Sequence, residues 1–244
     1  MTASASEAGA GPIRRIRRIR RWSVALAVVV ALSSAACVSP PTEDAAGTTA
    51  TTETKPTVDP RAYTVRIRAT SCEGVGVGSG FLLDSHTIVT NRHVVEGAEK
   101  LAVETYLGDE LTVDVASQGG LADLAVVKVE KGIGQNAHLA PADPSAGTQI
   151  RAYGYPKGGP MKITRGTVDD YVSDIRLGNL GKVMRSDVDI QPGNSGGPVL
   201  DDRDRVVGVV YAIERKTDLS LIVPVSTLAD LLDDEKNLEP VEGC

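Results

Sequence analysis

Residues 189–202 have the sequence DIQPGNSGGPVLDD, a glycine-rich turn around Ser195. Glycines stand on both sides of Ser195, and a short apolar run follows them. Glycine beside a serine lets backbone N–H groups converge on one point without an intervening side chain. Taken alone, the stretch is equally well explained as a tight turn between two strands. The rest of the chain has to decide whether Ser195 is a nucleophile or a turn residue.

From residue 61 onward the chain has the pattern of an all-β domain. About a dozen short apolar or alternating runs are separated by Gly, Asp, Asn and Pro, which is typical of a β-sandwich or barrel. These runs include YTVRIRAT, HTIVTN, LAVVKV, RVVGVVYAI and LSLIVPV. Aromatic residues make up only 3% of the chain, so Val, Leu, Ile and Ala must fill the core. Runs rich in Val favour strands over helices.

One helix is predicted near the C-terminus, over about residues 226–237. Ser226 or Thr227 is the expected N-cap, because a hydroxyl oxygen accepts a hydrogen bond from an N–H of the first turn. The apolar stripe of this helix is expected to consist of Leu228, Leu231 and Leu232.

Two further stretches place a histidine and an aspartate ahead of this serine. TNRHVVEG carries His93 after a β-rich run, and GLADLAVVKV carries Asp123 at the start of an apolar strand. A serine hydroxyl needs an adjacent base to take its proton, and histidine suits that role because it titrates near neutral pH. A carboxylate holds the imidazole in one tautomer and stabilises its charge. Each residue alone has an ordinary structural explanation, but together they predict a Ser-His-Asp nucleophilic site.

The segments TNRHVV, DLAVVKV and GNSGGPVL occur in this order within an all-β pattern. They resemble the trypsin-like serine proteases, in particular the bacterial HtrA-type and membrane-associated periplasmic branch, over roughly residues 63–232. The resemblance implies an all-β fold of two six-stranded antiparallel β-barrels with a short C-terminal helix and a site in the cleft between the barrels. It places the barrels over about residues 61–135 and about residues 145–225 of a protease domain at 61–244.

The resemblance also implies the role of each site residue. His93 acts as base and then as acid, Asp123 orients it, and Ser195 is the nucleophile. The oxyanion hole is expected over residues 193–195, with the amides of Gly193 and Ser195 as its donors. Digestive relatives have Asp where this chain has Asn194, and that Asp pairs with a newly cut N-terminus. Asn194 cannot form this ion pair, so we expect no activation by that route and a bracing role for Asn194.

Two other comparisons with the relatives concern specificity and regulation. Asp189 lies six residues before Ser195, at the place where a carboxylate at the base of the specificity pocket selects Arg or Lys in relatives. The alternative is that Asp189 points into solvent. HtrA-type relatives also continue into a peptide-binding PDZ domain, whereas few residues follow the predicted helix here. We therefore expect no activation through a PDZ domain.

The first 60 residues have the pattern of an export signal and a tether. Residues 1–21 contain six arginines, and the apolar segment 22–37 ends in small residues and Cys37. The apolar run of 15 residues would be about 22 Å long as a helix, short for a hydrocarbon core of about 30 Å. SSAAC resembles a lipobox with Ser34 at a place where Leu or Val is usual, so a lipidated Cys37, a cleaved signal and an uncleaved membrane anchor stay open. Residues 38–60, rich in Thr, Pro and Glu, are predicted to be a disordered linker. All versions place the rest of the chain outside the cytoplasm, in the cell envelope or secreted.

The three cysteines fit that location. Paired thiols oxidise outside the cytoplasm, and if Cys37 is lipidated or removed, Cys72 and Cys244 remain as an even pair. We expect them to form a disulfide, and two unpaired thiols are the alternative.

Charge and motif spacing exclude several other functions. Residues 22–244 carry 20 basic and 31 acidic side chains, a net charge of −11, which is unsuited to nucleic acid. His86 and His138 lack the spacing of metal ligands, and GVGVGSG lacks the helix and Lys of a nucleotide loop. We expect protein or peptide substrates, no metal and no cofactor. The alternative from another class is a protease-fold binding or scaffold protein whose site is latent, and the oligomeric state stays open.

Overall fold

The computed structural model describes residues 58–119, 122–132, 134–173, 182–233 and 238–244. All of them fall in the second of two units into which the chain divides, Thr52–Cys244. The predicted export signal, Cys37 and nearly all of the predicted linker lie outside the described residues. Across the described ranges, the structure has no helix with the length and apolar character that crossing a membrane requires.

The first sheet has eight strands, all paired antiparallel, in the order β15-β6-β7-β3-β2-β1-β4-β5. Its strands are β1 (Thr64–Ser71), β2 (Gly74–Leu82), β3 (Thr87–Thr90), β4 (Lys100–Glu104), β5 (Glu110–Leu111), β6 (Val113–Gly119), β7 (Ala125–Val129) and β15 (Leu238–Pro240). Strand β1 shows why the sequence folds this way, because its side chains alternate between the two faces. Val65 and Ile67 are buried, whereas Arg66 and Arg68 lie on the opposite face.

The second sheet closes into a barrel. Its strands are β8 (His138–Leu139), β9 (Gln149–Gly154), β10 (Lys162–Ser173), β11 (Lys182–Ser186), β12 (Pro198–Leu200), β13 (Arg205–Ile213) and β14 (Ser220–Pro224). Strand β12 pairs with β9 on one side and with β13 on the other, which closes a ring of six strands. Strand β8 adds to β13 in parallel, outside the ring.

The all-β fold of two barrel-like sheets is confirmed, with one difference in the first sheet. Among the described residues this sheet is curled but open, because no ladder joins β4 and β5 to β6. The C-terminal strand β15 instead occupies an edge of β6, where Leu238 pairs with Gly119. This sheet therefore has eight strands where six were expected, and the two additional strands are short.

Two apolar clusters form the core. One fills the second barrel and includes Ile150, Met184 and Ile222. The other fills the first sheet around Ile67, Phe81 and Leu124 and continues across the junction of the two sheets. Its members from the second barrel and the C-terminal helix are Tyr153, Val183, Leu200, Val206, Val209, Tyr211, Leu221, Val223, Leu228 and Leu231. Continuous apolar packing thus holds the two sheets against each other.

Helices α1 (Pro60–Tyr63) and α2 (Arg92–Val95) are single turns, and the C-terminal helix α3 covers Val225–Asp233. The predicted N-cap was wrong, because the helix begins one residue earlier and Ser226 lies inside its first turn. The carboxylate of Asp143 accepts hydrogen bonds from the Ser226 N–H at 2.9 Å and from its hydroxyl at 2.7 Å. A side chain 83 residues away in sequence therefore accepts from a backbone N–H of the first turn that has no partner within the helix. Leu228 and Leu231 are buried as predicted, and Leu232 is partly buried.

The structure joins Cys72, which follows β1, to Cys244, the last residue, as a disulfide. Their Cα atoms are 5.9 Å apart, within the ordinary range for such a bond. Gly243 forms a bridge with Gly97, and the Val241 N–H donates to the Ala116 carbonyl at 3.0 Å. The C-terminal tail thus lies along the first sheet.

Candidate active site

Asp123 holds His93 at two points. His93 lies in a single-turn helix α2 (Arg92–Val95), and its backbone N–H donates to Asp123 Oδ1 at 3.0 Å. Its ring Nδ1 makes a short contact with Asp123 Oδ2. Since a carboxylate only accepts, this contact assigns a proton to Nδ1, and in the neutral ring Nε2 is then the acceptor. The arrangement fixes one tautomer of an imidazole that is half exposed above a buried carboxylate.

The strand pairing brings these two residues together. Strand β3 ends just before Asn91, β7 begins just after Asp123, and Thr90 pairs with Ala125 across the two strands. The side-chain amide of the buried Asn91 then donates to the Asp123 carbonyl at 2.7 Å. Residues 30 positions apart in sequence therefore meet at the end of one ladder.

Ser195 lies in a tight turn that leads from Gln191 into β12. The Asn194 N–H donates to the Gln191 carbonyl at 2.9 Å, and the Gln191 N–H donates to Asn194 Oδ1 at 3.2 Å. Asn194 thus braces the turn, as the sequence predicts. Because its own N–H points into the turn, the predicted oxyanion site over residues 193–195 is reduced to the amides of Gly193 and Ser195.

The Ser195 hydroxyl faces a backbone carbonyl. Its Oγ donates to the Tyr211 carbonyl on β13 at 3.5 Å, a long bond, and among the described residues it makes none with His93. Catalytic hydrogen bonds are often long or poorly aligned in unliganded enzymes and tighten once substrate binds.

The peptide between Pro192 and Gly193 has a defined orientation. The Pro192 carbonyl accepts a hydrogen bond from the Lys157 N–H at 2.7 Å. In a trans peptide the N–H of the next residue points the opposite way, so the Gly193 N–H faces away from Lys157. Across the described residues, neither the Gly193 nor the Ser195 N–H donates to another group. Two amide donors of the turn are thus left available.

Ser79 is a buried residue of β2 that sequence analysis did not identify. Its N–H donates to the Ser195 carbonyl at 2.8 Å, and its hydroxyl donates to the Gly193 carbonyl at 2.7 Å. The same hydroxyl oxygen accepts from the Tyr155 N–H at 2.9 Å. Ser79 of the first sheet therefore makes three hydrogen bonds to the second, two to the turn that carries Ser195 and one to Tyr155. A serine within the run GVGSGF has no periodicity that distinguishes it from its neighbours, so no local pattern indicated this role.

Among the described residues, the other predicted site residues make none of these hydrogen bonds. Asp189 is exposed, between the buried Val188 and Ile190. Cys72 and Cys244 lie with Glu99, the three offering possible ligand atoms within 4.8 Å of one another. Because the two sulfurs are bonded to each other, this group is poorly suited to hold a metal ion.

The Gly193 position leads to a prediction. Its φ is +99°, and a Cβ there would lie 2.5 Å from the Tyr155 carbonyl oxygen and 2.6 Å from the Lys157 N. We expect Gly193→Ala to displace the turn and lower kcat by about 10²–10³-fold, the effect of losing one oxyanion donor. The control is Gly134→Ala, where a Cβ meets nothing within 4 Å. Steady-state kinetics with a peptide substrate measure the effect, and equal rates for the two variants would contradict the prediction.

The fold and the site together define a class of protein. An all-β double sheet with a buried Asp, a His held in one tautomer, and a Ser beside two unused amides has the arrangement of a chymotrypsin-fold serine hydrolase. The family model for the trypsin-like peptidase domain matches residues 78–209, more than half of the chain. The protein belongs to the trypsin-like peptidase family.

Curated relatives and solved structures agree with this family. The chain is 34% identical over 164 residues to the putative serine protease HhoA of Synechocystis, covering 62% of this chain and 40% of the relative. It is 30% identical over 181 residues to a probable periplasmic serine endoprotease, DegP-like, of Hahella chejuensis. That match covers 70% of this chain and 38% of the relative. The chain thus spans about 40% of the length of these relatives.

Among solved structures, the active form of the Rv3671c protease from M. tuberculosis matches with a TM-score of 0.66 at 23% identity. That match covers 75% of this chain and 84% of the other. The HtrA-type protease AlgW with a tripeptide matches with a TM-score of 0.64 at 22% identity, covering 71% and 60%. At these identities the similarity supports the fold.

Proposed function

We propose that the protein is a serine endopeptidase that hydrolyses peptide bonds of protein or peptide substrates through an acyl-enzyme intermediate. The proposal rests mainly on one observation: the buried Asp123 carboxylate accepts from the backbone N–H of His93 and also contacts its ring Nδ1. With the proton on Nδ1, the neutral ring has Nε2 as its acceptor, which is the form that a general base requires. The two amides beside Ser195 supply the second requirement of acyl transfer, donors for an oxyanion.

The proposed reaction has two halves. His93 Nε2 takes the proton of Ser195 Oγ as the oxygen attacks the substrate carbonyl carbon, and the amides of Gly193 and Ser195 bind the resulting oxyanion. His93 then gives the proton to the leaving amine, and the acyl group stays on Ser195. A water molecule, deprotonated by His93, then attacks the acyl carbon; the bond from that carbon to Ser195 Oγ breaks, His93 returns the proton to Oγ, and the carboxylic acid leaves. Asp123 stays ionised throughout and stabilises the imidazolium. These steps need no metal or organic cofactor.

We further infer that the protein acts outside the cytoplasm. A basic run followed by an apolar segment, the Cys72–Cys244 pairing and relatives described as periplasmic all support export. A lipidated Cys37, a cleaved signal and an uncleaved anchor are the three alternatives for attachment. Mass spectrometry of the mature N-terminus distinguishes them, because only the first leaves a lipid on Cys37.

The experiment that tests the activity uses a fluorophosphonate probe, which reacts only with an activated serine. We expect the folded protein to be labelled at Ser195 and the label to be lost in Ser195→Ala. Ser145→Ala, a change at an exposed serine of a loop, is the matched control and should label like the wild type. Folded wild-type protein that takes up no label would favour a latent binding or scaffold protein instead.

The exposed position of Asp189 leads to a prediction about specificity. A carboxylate in water gains only about 0–1 kcal/mol from an ion pair, too little to select a basic side chain strongly. We therefore expect Asp189→Asn to change kcat/KM for substrates with Arg before the scissile bond by less than about fivefold. Peptide-library profiling of both proteins checks this. A strong preference for Arg or Lys that disappears in the variant would instead support a pocket with Asp189 at its base.

A further inference from the structure

Arg66 connects the first sheet to a turn of the second barrel. Its NH1 donates to the Gly158 carbonyl at 2.9 Å, and its NH2 pairs with Glu104 Oε1 on the neighbouring strand β4 at 2.5 Å. Its guanidinium also lies over the Tyr155 ring, 5.6 Å from the centroid. The side chain is only 18% exposed. Arg66 is thus held on one side by Glu104, and it holds two residues of the Tyr155–Gly159 turn on the other.

Charge and burial suit Arg66 for this contact. The guanidinium holds the pKa of Glu104 below its ordinary value, so that carboxylate stays ionised and keeps Arg66 in place. Burial raises the pKa of Tyr155 to about 12, so its ring stays neutral and offers its face to the cation. A planar guanidinium can pair with the carboxylate, donate to the carbonyl and lie over the ring at the same time. The point charge of Lys is less suited to making all three contacts.

The turn that Arg66 holds is the turn that orients the Pro192–Gly193 peptide. Lys157 has a φ of +55°, a left-handed conformation that costs free energy in any residue with a side chain. Such a conformation persists only when surrounding contacts enforce it. In this conformation the Lys157 N–H donates to the Pro192 carbonyl at 2.7 Å. If the turn relaxed, the peptide could rotate and point the carbonyl to where the Gly193 N–H now points.

We propose that Arg66 is a positioning residue for the oxyanion site, acting from the first sheet through the Tyr155–Gly159 turn on the Gly193 amide. The inference rests on the proposed peptidase function and names a residue 129 positions before the nucleophile. Among the described contacts, Arg66 touches neither Ser195 nor His93, so its effect is on the orientation of an oxyanion donor and not on the triad. The consequence is a selective loss of transition-state binding when Arg66 is removed.

The test compares Arg66→Met with Arg68→Met. Both arginines lie on the same face of β1, but Arg68 is more exposed, and among the described residues it makes no hydrogen bond to the turn. We expect Arg66→Met to lower kcat about tenfold with little change in KM, a part of the 10²–10³-fold lost with an oxyanion donor. Arg68→Met should match the wild type, and Arg66→Lys should lie between the two. Thermal melting checks that the variants are folded, and Glu104→Gln gives a second, milder way to loosen Arg66.

Two binding measurements separate positioning from general damage. A peptide aldehyde forms a tetrahedral adduct with Ser195 and needs the oxyanion site, so its affinity should fall about tenfold in Arg66→Met. The affinity of the uncleaved peptide, measured in the Ser195→Ala background, should not change. Equal losses of both affinities, or equal kcat values for the two Met variants, would overturn the proposal.

Amide hydrogen exchange tests the same idea without catalysis. The Lys157 N–H should be protected in the wild type and in Arg68→Met and should exchange faster in Arg66→Met, because its bond to Pro192 is weakened. Unchanged protection would overturn the proposal even if kcat fell. A wild-type protein that takes up no fluorophosphonate would instead overturn the proposed function, and with it any catalytic part for Arg66. The two failures are therefore distinguishable.

Discussion

Replacing Asp123 with Asn is expected to lower kcat about 10⁴-fold while leaving the fold and KM nearly unchanged. The carboxylate accepts from both the backbone N–H and the ring of His93. An amide of the same shape has one acceptor and one donor, so it cannot accept at both points. The ring then turns or takes the other tautomer, and its Nε2 carries a proton when it should receive one.

The matched control for this change is Asp201→Asn. The two aspartates are buried alike, with 6% of Asp201 and 5% of Asp123 exposed, and each accepts several hydrogen bonds. Asp201 accepts hydrogen bonds from Arg205 and from its own turn. Asp201→Asn is therefore expected to lower the free energy of unfolding without a comparable loss of kcat. Steady-state kinetics and urea unfolding of both variants separate the two effects. A kcat within tenfold of the wild type in Asp123→Asn would contradict the assigned role.

The parts of the structure that could be predicted follow from local patterns. The alternation in β1 determines which face is buried, and the buried face of α3 follows from the spacing of Leu228 and Leu231. His93, Asp123 and Ser195 could be selected as candidates because each lies in a short motif whose residues are adjacent in sequence. These signals depend on neighbours within a few positions, so one sequence is enough to read them.

What could not be predicted depends on contacts between distant residues. Ser79 reaches Gly193 across 114 positions, and Arg66 reaches Gly158 across 92. The start of α3 was misplaced for the same reason, since the groups that satisfy it come from Asp143. A single sequence gives no measure of which loop will face which strand. Asp189 is a different case, because its position in the motif is compatible with either a pocket or solvent, and local sequence does not distinguish the two; the structure shows an exposed side chain.

These long-range contacts make the geometry of the candidate site depend on how the two sheets are joined. His93 and Asp123 come from the first sheet, and Ser195 and Gly193 come from the turn before β12. Ser79 and Arg66 tie the two halves through hydrogen bonds to backbone carbonyls, which require a fixed separation of about 3 Å. An apolar cluster spans the junction of the two sheets, and the polar contacts fix how the turns of the second barrel lie against the first sheet.

The Cys72–Cys244 disulfide is expected to provide the largest single contribution to stability. It closes a loop with a sequence separation of 172 residues, nearly the whole described domain. In the loop-entropy model such a closure raises the free energy of unfolding by about 4–5 kcal/mol, a third or more of the total for an ordinary domain. We expect the double variant Cys72→Ser, Cys244→Ser to lose about this amount in urea unfolding, and reduction of the wild type to have the same effect.

Cys37→Ser is the control for this experiment, since it removes a thiol that takes no part in the pair, and its unfolding should match that of the wild type. The tail itself contributes little beyond the bond, because β15 has only three residues and the bridge at Gly97 is a single pair. The disulfide is therefore expected to act mainly by restricting the unfolded chain. A loss of less than about 1 kcal/mol in the double variant would mean that the unfolded chain is already compact enough to keep the two ends together.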